Sequence, residues 1–283
     1  MTKGKLYVVS TPIGNLGDLS KRAADTLEFV DFIAAEDTRV TLKLLNYLGI
    51  KKPMISCYRH NEKGRSQEIV DKILAGENCA LCSDAGTPAI SDPGEELVSL
   101  AVDNSIEVVS VPGPCAAIAA LSISGIPSGR FCFEGFLSVN KKVRKTRLEA
   151  LSSEERTMVF YEAPHKLKRT LKDMLSYFGN RNIAISREMT KVYEEVIRFP
   201  LSDAVNYYNE TDPRGEYVIV VEGFVPENEE ETVTVEDAAC MANELRSLGV
   251  SASEAAKNIA FKTGISKSKI YSEMMKNENN NCI

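Results

Sequence analysis

KLYVVSTPIGNLGDLSKRAADTLEFVDFIAAE, residues 5 to 36, sets the fold class. The apolar run Leu6 to Val9 reads as a strand, and TPIGNLGDLS as a loop rich in turn residues. Ala23, Leu27 and Val30 then recur at helical spacing, and DFIAAE forms a second apolar run. Strand, loop, helix and strand in this order open a parallel α/β sheet. Further strands are expected in CALCS and IEVVSV, with a helix in EELVSLAVDN between them. PGPCAAIAALSISG reads as a helix of small residues opened by proline, which ends an N-terminal α/β domain over residues 1–120.

A second set of strands is expected in FCFEGF, RTMVFYEA, NIAISRE, EEVIRF and EYVIVVEG, with a helix in HKLKRTLKDMLSYF. Strands in quick succession after Asn182 favour an antiparallel or mixed sheet, giving a second α/β domain over 121–228. The acidic run PENEEET leads into residues 229–283, which hold no strand signal and have helical periodicity throughout. Within SASEAAKNIAF, Ser251 and Glu254 have capping-box spacing. Gly264 and Ser266 then supply the turn and cap of a helix-turn-helix.

At 283 residues the chain has room for two domains and a small appendage, and 43% hydrophobic with 26% charged residues suits a soluble protein with a real core. The net charge of −6 excludes wholesale coating of nucleic acid but leaves room for local basic patches. Seven scattered cysteines suit reduced thiols, and the first apolar run is too short for a signal peptide, so a cytoplasmic protein is expected. Cys79 and Cys82 have CxxC spacing, but a zinc site needs two more ligands and no second CxxC or HxxxH exists. They read as buried strand, and no metal is expected.

Chemistry concentrates in LCSDAGTPAISDPG, residues 81 to 94. Its glycines let backbone groups approach a ligand closely. From Ile73 to Gly129 there is no Lys or Arg, while the span holds seven acids, so a polyphosphate there would leave its charge unpaired. A purely structural turn explains the glycines as well. As a site, the loop suits a ligand cationic at its centre and rich in hydrogen-bonding edges, and S-adenosylmethionine has both properties. VPGPCAA adds a second backbone-rich loop after the next strand. Gly14 and Gly17, followed by Glu36 or Asp37, mimic a dinucleotide fingerprint without its leading GxG, which disfavours a nicotinamide site.

The charge reverses at VNKKVRKTR, where Lys141, Lys142, Arg144, Lys145 and Arg147 stand together without an acid, and HKLKRTLK adds a second basic run. A solvated surface and a phosphate-backbone contact are both consistent with them. Lysines 257, 262, 267 and 269 surround the helical turn of the tail. The two histidines, His60 and His165, sit in polar, turn-like sequence, and the clusters EDTR and SREMTKVYEE suit either ion pairs or acid–base chemistry.

Taken together, STPIGNLGD, AAEDTR, LCSDAGTPAISDPG, VSVPGPCAAIAALSISG, YEAPHKL, SREMTKVYEE and RGEYVIVVEG resemble the bacterial cytidine 2′-O-methyltransferases of small-subunit ribosomal RNA, built on the tetrapyrrole methylase fold. Where that family has a YHEHN-like stretch, this chain reads CYRHN. The resemblance implies S-adenosylmethionine between two α/β domains, a homodimer, and as substrate a cytidine ribose in the decoding region of 16S rRNA, with the small ribosomal subunit as the expected partner. It implies cofactor contacts at Pro12, Ala85, Gly86, Thr87, Ile90, Cys115, Ala116, Glu162, Met189 and Thr190, to which the loop chemistry adds Asp84. A ribose 2′-hydroxyl is a weak nucleophile, so a base within hydrogen-bond reach is expected among His165, Glu162, Glu188 and Asp37. Arg39, Arg187 and Lys191, with the basic segment and Lys267 and Lys269, are the expected RNA contacts. A methylase of small tetrapyrroles on the same fold needs neither basic run nor tail. A non-enzymatic nucleic-acid regulator predicts duplex binding without turnover.

Overall fold

The computed structural model describes residues 2–58, 61–226 and 233–280. Residues Met1–Phe224 form one compact unit and Val225–Ile283 another. His60 and most of the acidic PENEEET run lie outside the described residues.

The first unit opens with strands β1 (Lys5–Val9), β2 (Phe32–Ala35), β3 (Met54–Ser56), β4 (Cys79–Cys82) and β5 (Glu107–Val111). They form an all-parallel sheet in the order β3-β2-β4-β1-β5. Helices α1 (Lys21–Phe29), α2 (Thr38–Leu48), α3 (Glu62–Leu74) and α4 (Glu95–Asp103) connect them. Ser20 caps α1 by accepting the Ala23 N–H, and Asp37 caps α2 by accepting the Arg39 N–H. The short edge strand β3 follows Pro53 and has no counterpart among the expected strands, because three residues carry no readable period.

The CxxC pair lies in the middle of this sheet. Cys79 packs with Leu6, Phe32 and Leu97 on one face, and Cys82 with Val9, Ile33 and Val111 on the other. Residues three apart on a strand point to opposite faces, so these two sulfurs do not converge on one ion. Burial pushes the Cys82 thiol up to about 12 and that of Cys79 higher still.

Strands β6 (Phe131–Phe136), β7 (Thr157–Glu162), β8 (Asn182–Arg187), β9 (Glu195–Pro200) and β10 (Tyr217–Val221) make the second sheet, ordered β6-β7-β10-β8-β9. Only β6 and β7 run parallel, so the sheet is mixed. Helix α5 (Ala116–Ile123) sets its Ala117, Ala120 and Leu121 against Val159, Val218 and Val220 of this sheet. Its alanines allow that close approach. The expected domain boundary at residue 120 therefore runs through a helix that packs with the second sheet. On the opposite face, α6 (Lys141–Leu151), α7 (Pro164–Phe178) and α8 (Leu201–Glu210) cover a core around Phe160, Leu171 and Ile219.

The second unit holds α9 (Val235–Ser247), α10 (Ala252–Thr263) and α11 (Lys267–Asn280) around an alanine-rich core with Ile259, Ile270 and Met274. Ser251 accepts the Glu254 N–H at 3.3 Å. The full reciprocal box forms at Thr234 and Asp237 instead. Gly264 closes α10 in the left-handed conformation with φ 70°. No helix among the described residues is long and apolar enough to cross a membrane.

Candidate active site

The loops after β1, β4 and β5 leave the same edge of the first sheet, flanking the point where β1 sits between β4 and β5. Ligands of open α/β sheets bind at such carboxyl ends. Here the loops are stitched together. Thr11 and Gly86 exchange backbone hydrogen bonds at 2.8 and 3.1 Å. The Ser10 and Thr87 hydroxyls lie 2.9 Å apart, and the Thr87 hydroxyl donates to the Pro114 carbonyl at 3.1 Å. Gly86 has φ 82°, and a Cβ there would stand 3.3 Å from Ile13 Cγ2.

Facing these loops, the carboxyl end of β7 and the turns beside β8 and β10 close a cleft of about 410 Å³. Ile13, Asp92 and Ala116 line it from the first half, and Phe136, Tyr161, Glu162, Met189, Glu216 and Val218 from the second. A bulge between Phe133 and Gly135 sets Phe136 opposite Tyr161, with ring centroids 5.6 Å apart. The Tyr161 hydroxyl accepts the Ala117 N–H at 3.1 Å, which ties the start of α5 to the cleft wall. Ala89 and Ser91 on one side, and Glu188 and Thr190 on the other, hold positive φ of 65°, 67°, 49° and 65°. Such strained non-glycine residues gather where a site over-determines its backbone. Thr190 Oγ1 is buried with no hydrogen-bond partner. The charged lining is Asp92, Glu162 and Glu216, with no Lys or Arg.

The family of tetrapyrrole (corrin/porphyrin) methylases matches residues 5–205. The chain is 46% identical over 272 residues to the ribosomal RNA small subunit methyltransferase I of a Synechocystis species, covering 95% of this chain and 96% of that one. It is 45% identical to the protein of the same name from Bacillus subtilis, covering 95% and 93%. The chain belongs to the tetrapyrrole methylase family. Among solved structures, the methyltransferase CobJ superposes with TM-score 0.60 at 19% identity, covering 78% of this chain and 94% of that one. Diphthine synthase superposes with TM-score 0.59 at 12% identity, covering 78% and 90%. Both speak to the fold alone.

Within this methylase, the residues expected to hold a cofactor divide between two hollows. Ala116, Glu162 and Met189 line the large cleft. Pro12 and Asp84 line a smaller one of about 220 Å³ with Thr41 and Lys43. Gly86 and Thr87 form the stitched floor, Cys115 is the N-cap residue of α5, and Ala85 and the 43%-exposed Ile90 lie on the open side of the loop. Thr190 donates its N–H to the Glu194 carboxylate at 2.6 Å. Asp92, Phe136, Tyr161 and Tyr217 were not among the expected site residues. Asp92, Tyr161 and Tyr217 stand inside motifs already singled out, whereas Phe136 reaches the cleft through a bulge whose one sequence signal is Gly135, a glycine within a strand run that takes φ 60°.

The four base candidates occupy different environments. The side-chain hydrogen bond and backbone N–H of Arg39 hold Asp37 down at about 2. Burial raises Glu188, but Lys191 Nζ at 2.9 Å and the Glu216 N–H at 3.0 Å outweigh it and keep the carboxyl low. Both are weak proton acceptors. His165 is exposed at the start of α7. Glu162, 2% exposed, accepts the Ala163 N–H at 2.9 Å and the Thr170 hydroxyl at 2.5 Å. Asp84, by contrast, is raised by burial, partly offset by the Asp37 N–H it accepts.

Of the expected RNA contacts, Arg144 is corrected by the structure. It is 5% exposed and bonds Asp173 at 2.7 Å and Thr170 at 2.9 Å, because α6 turns Arg144, Leu148 and Leu151 inward. Lys141, Lys142, Lys145 and Arg147 stay on the outer face, with Arg147 paired to Glu134 at 2.6 Å and Lys145 3.6 Å from Glu149. Arg39 is exposed over Asp37. Arg187 pairs with Glu195, and Lys191 with both Glu188 and Glu216, so the acids on this rim neutralise them. In the second unit Lys269 is exposed, and Lys267 donates to the Ser253 hydroxyl at 2.9 Å.

Proposed function

We propose that the protein methylates the 2′-oxygen of a cytidine ribose in 16S rRNA, in the cytoplasm, using S-adenosylmethionine held in the 410 Å³ cleft. The observation that carries this reading is a walled, half-apolar cleft whose charged lining is entirely acidic. Glu216 is paired with Lys191, and a lining without Lys or Arg gives a phosphate no direct partner and suits a cation. The Phe136 and Tyr161 rings supply an apolar wall, and the Glu162 carboxyl group supplies a polar partner for a nucleoside. When bound, the cofactor supplies an electrophilic methyl whose thioether leaving group needs no proton.

The protein's remaining tasks are to position the ribose oxygen about 3 Å from that methyl and to accept its proton. Burial raises the proton affinity of Asp84 on balance, whereas hydrogen bonds from neighbouring groups lower those of Asp37 and Glu188. Asp37 and Glu188 hold their basic neighbours in place. The outer face of α6 and the lysines around Gly264 grip the RNA backbone, and two copies form the working unit. These basic surfaces favour RNA over a small tetrapyrrole. The test is transfer of labelled methyl from S-adenosylmethionine to small ribosomal subunits from cells lacking the enzyme, followed by nuclease mapping. One ribose-methylated cytidine is expected; cofactor binding without label in rRNA would remove the RNA assignment.

A further inference from the structure

Beneath the cleft runs a chain of buried polar groups that the reaction itself does not explain. Glu162 lines the cleft at the end of β7. Thr170, 1% exposed, stands two turns into α7, and Arg144, 5% exposed, reaches it from α6. The direction of each bond is forced. A guanidinium only donates, so Arg144 Nη2 gives a proton to Thr170 Oγ1 at 2.9 Å. The hydroxyl's single proton then goes to Glu162 Oε2 at 2.5 Å. Asp173 accepts from Arg144 Nε at 2.7 Å and fixes the guanidinium plane. The other Glu162 oxygen takes the Ala163 N–H at 2.9 Å. Both carboxylate oxygens thus receive a donor from the protein, which locks the rotamer, while their remaining lone pairs are left for the cleft.

Thr170 from α7, backed by Arg144 from α6, supports one carboxylate of β7 in a nearly water-free place. A surface ion pair needs no such support, and a buried chain fully satisfied in one direction rigidifies what it ends on. We propose that Thr170 and Arg144 are positioning residues that hold the Glu162 carboxyl group as the acceptor for an N–H or O–H donor of the bound nucleoside methyl donor. The inference rests on the cleft being the cofactor site. It also gives the basic helix a second purpose: its one buried cation organises the cleft floor, while its outer lysines face solvent.

The test is calorimetric titration of S-adenosylmethionine into the full chain and into Thr170→Val, Thr170→Ser, Glu162→Gln and the Thr170→Val/Glu162→Gln double variant. Thermal unfolding of each confirms that it is folded. Thr170→Val is expected to bind about tenfold more weakly and Thr170→Ser to recover most of the loss. In the Glu162→Gln background the Thr170→Val change should cost little more, because the hydroxyl acts through the carboxylate. A purely structural threonine would give additive losses, or lower the unfolding temperature with affinity unchanged, and either result overturns the proposal. Binding by the unaltered chain with no effect of Thr170→Val would sink the relay and leave the methyl-transfer reading standing. No binding by the unaltered chain would overturn that reading and the relay with it.

Discussion

Gly86→Ala separates the effect of backbone strain from that of site geometry. Gly86 has φ 82°, where an L-residue costs about 1–2 kcal/mol. Its new Cβ would stand 3.3 Å from Ile13 Cγ2, so Ile13 must give by a few tenths of an ångström. Ile13 lines the cleft, and Gly86 is half of the two-bond bridge to Thr11. The displacement is therefore delivered to the cofactor side and not to solvent. Gly49→Ala is the matched control, with φ 72° at the end of α2 and nothing within 4 Å of its Cβ. Both variants should unfold lower by roughly 2–8 °C, from about 2–4 °C per kcal/mol for a unit of this size. Only Gly86→Ala should weaken S-adenosylmethionine binding, on the order of tenfold, since small misplacements at a preorganised site are costly. Calorimetry and thermal unfolding on the same preparations decide it. Equal affinities for the two variants would refute the claim that the stitched loops set the cleft.

Thiol labelling followed by peptide mapping should find Cys240 reactive in the native chain and Cys79 and Cys82 protected until unfolding, because burial keeps those two thiols protonated; rapid native labelling of Cys79 would contradict the buried-strand assignment. Asp37, held at about 2 against an ordinary 3.8, contributes stability above the ordinary value and loses it as pH falls through about 2. Arg39→Ala should therefore unfold lower than the parent at neutral pH and converge with it in strong acid, and a constant gap across thermal scans would exclude this linkage. Lys141→Ala/Lys142→Ala should reduce the slope of log affinity against log salt for RNA by about 1.4–1.8, from about 0.7–0.9 per phosphate contact, whereas an unchanged slope would place the RNA elsewhere. Removing Val225–Ile283, a compact unit of its own, should weaken RNA binding and leave calorimetric cofactor affinity intact; unchanged RNA affinity would assign the grip to the first unit.

The strand runs and the glycine-rich loops were legible in the sequence because each is a local pattern. An apolar run of five residues, a proline-opened alanine helix or a left-handed glycine after a helix follows from neighbouring side chains alone. The parallel first sheet, the mixed second sheet and the helical tail came from such patterns, and so did the run without Lys or Arg from Ile73 to Gly129, although the fold brings Lys43 beside Asp84 and Lys191 beside Gly14. Residues far apart in sequence settled the rest. Which face of α6 turns inward is decided by α7, and so Arg144 left the RNA surface for the cleft floor. A bulge in β6 aimed Phe136 at Tyr161, and α5 packs on the second sheet. Charge at a given position is a property of the sequence, but proton affinity is a property of the surroundings. Asp37 and Asp84 are the same residue type joined by one hydrogen bond, and only the fold gives one to Arg39 and leaves the other raised by burial.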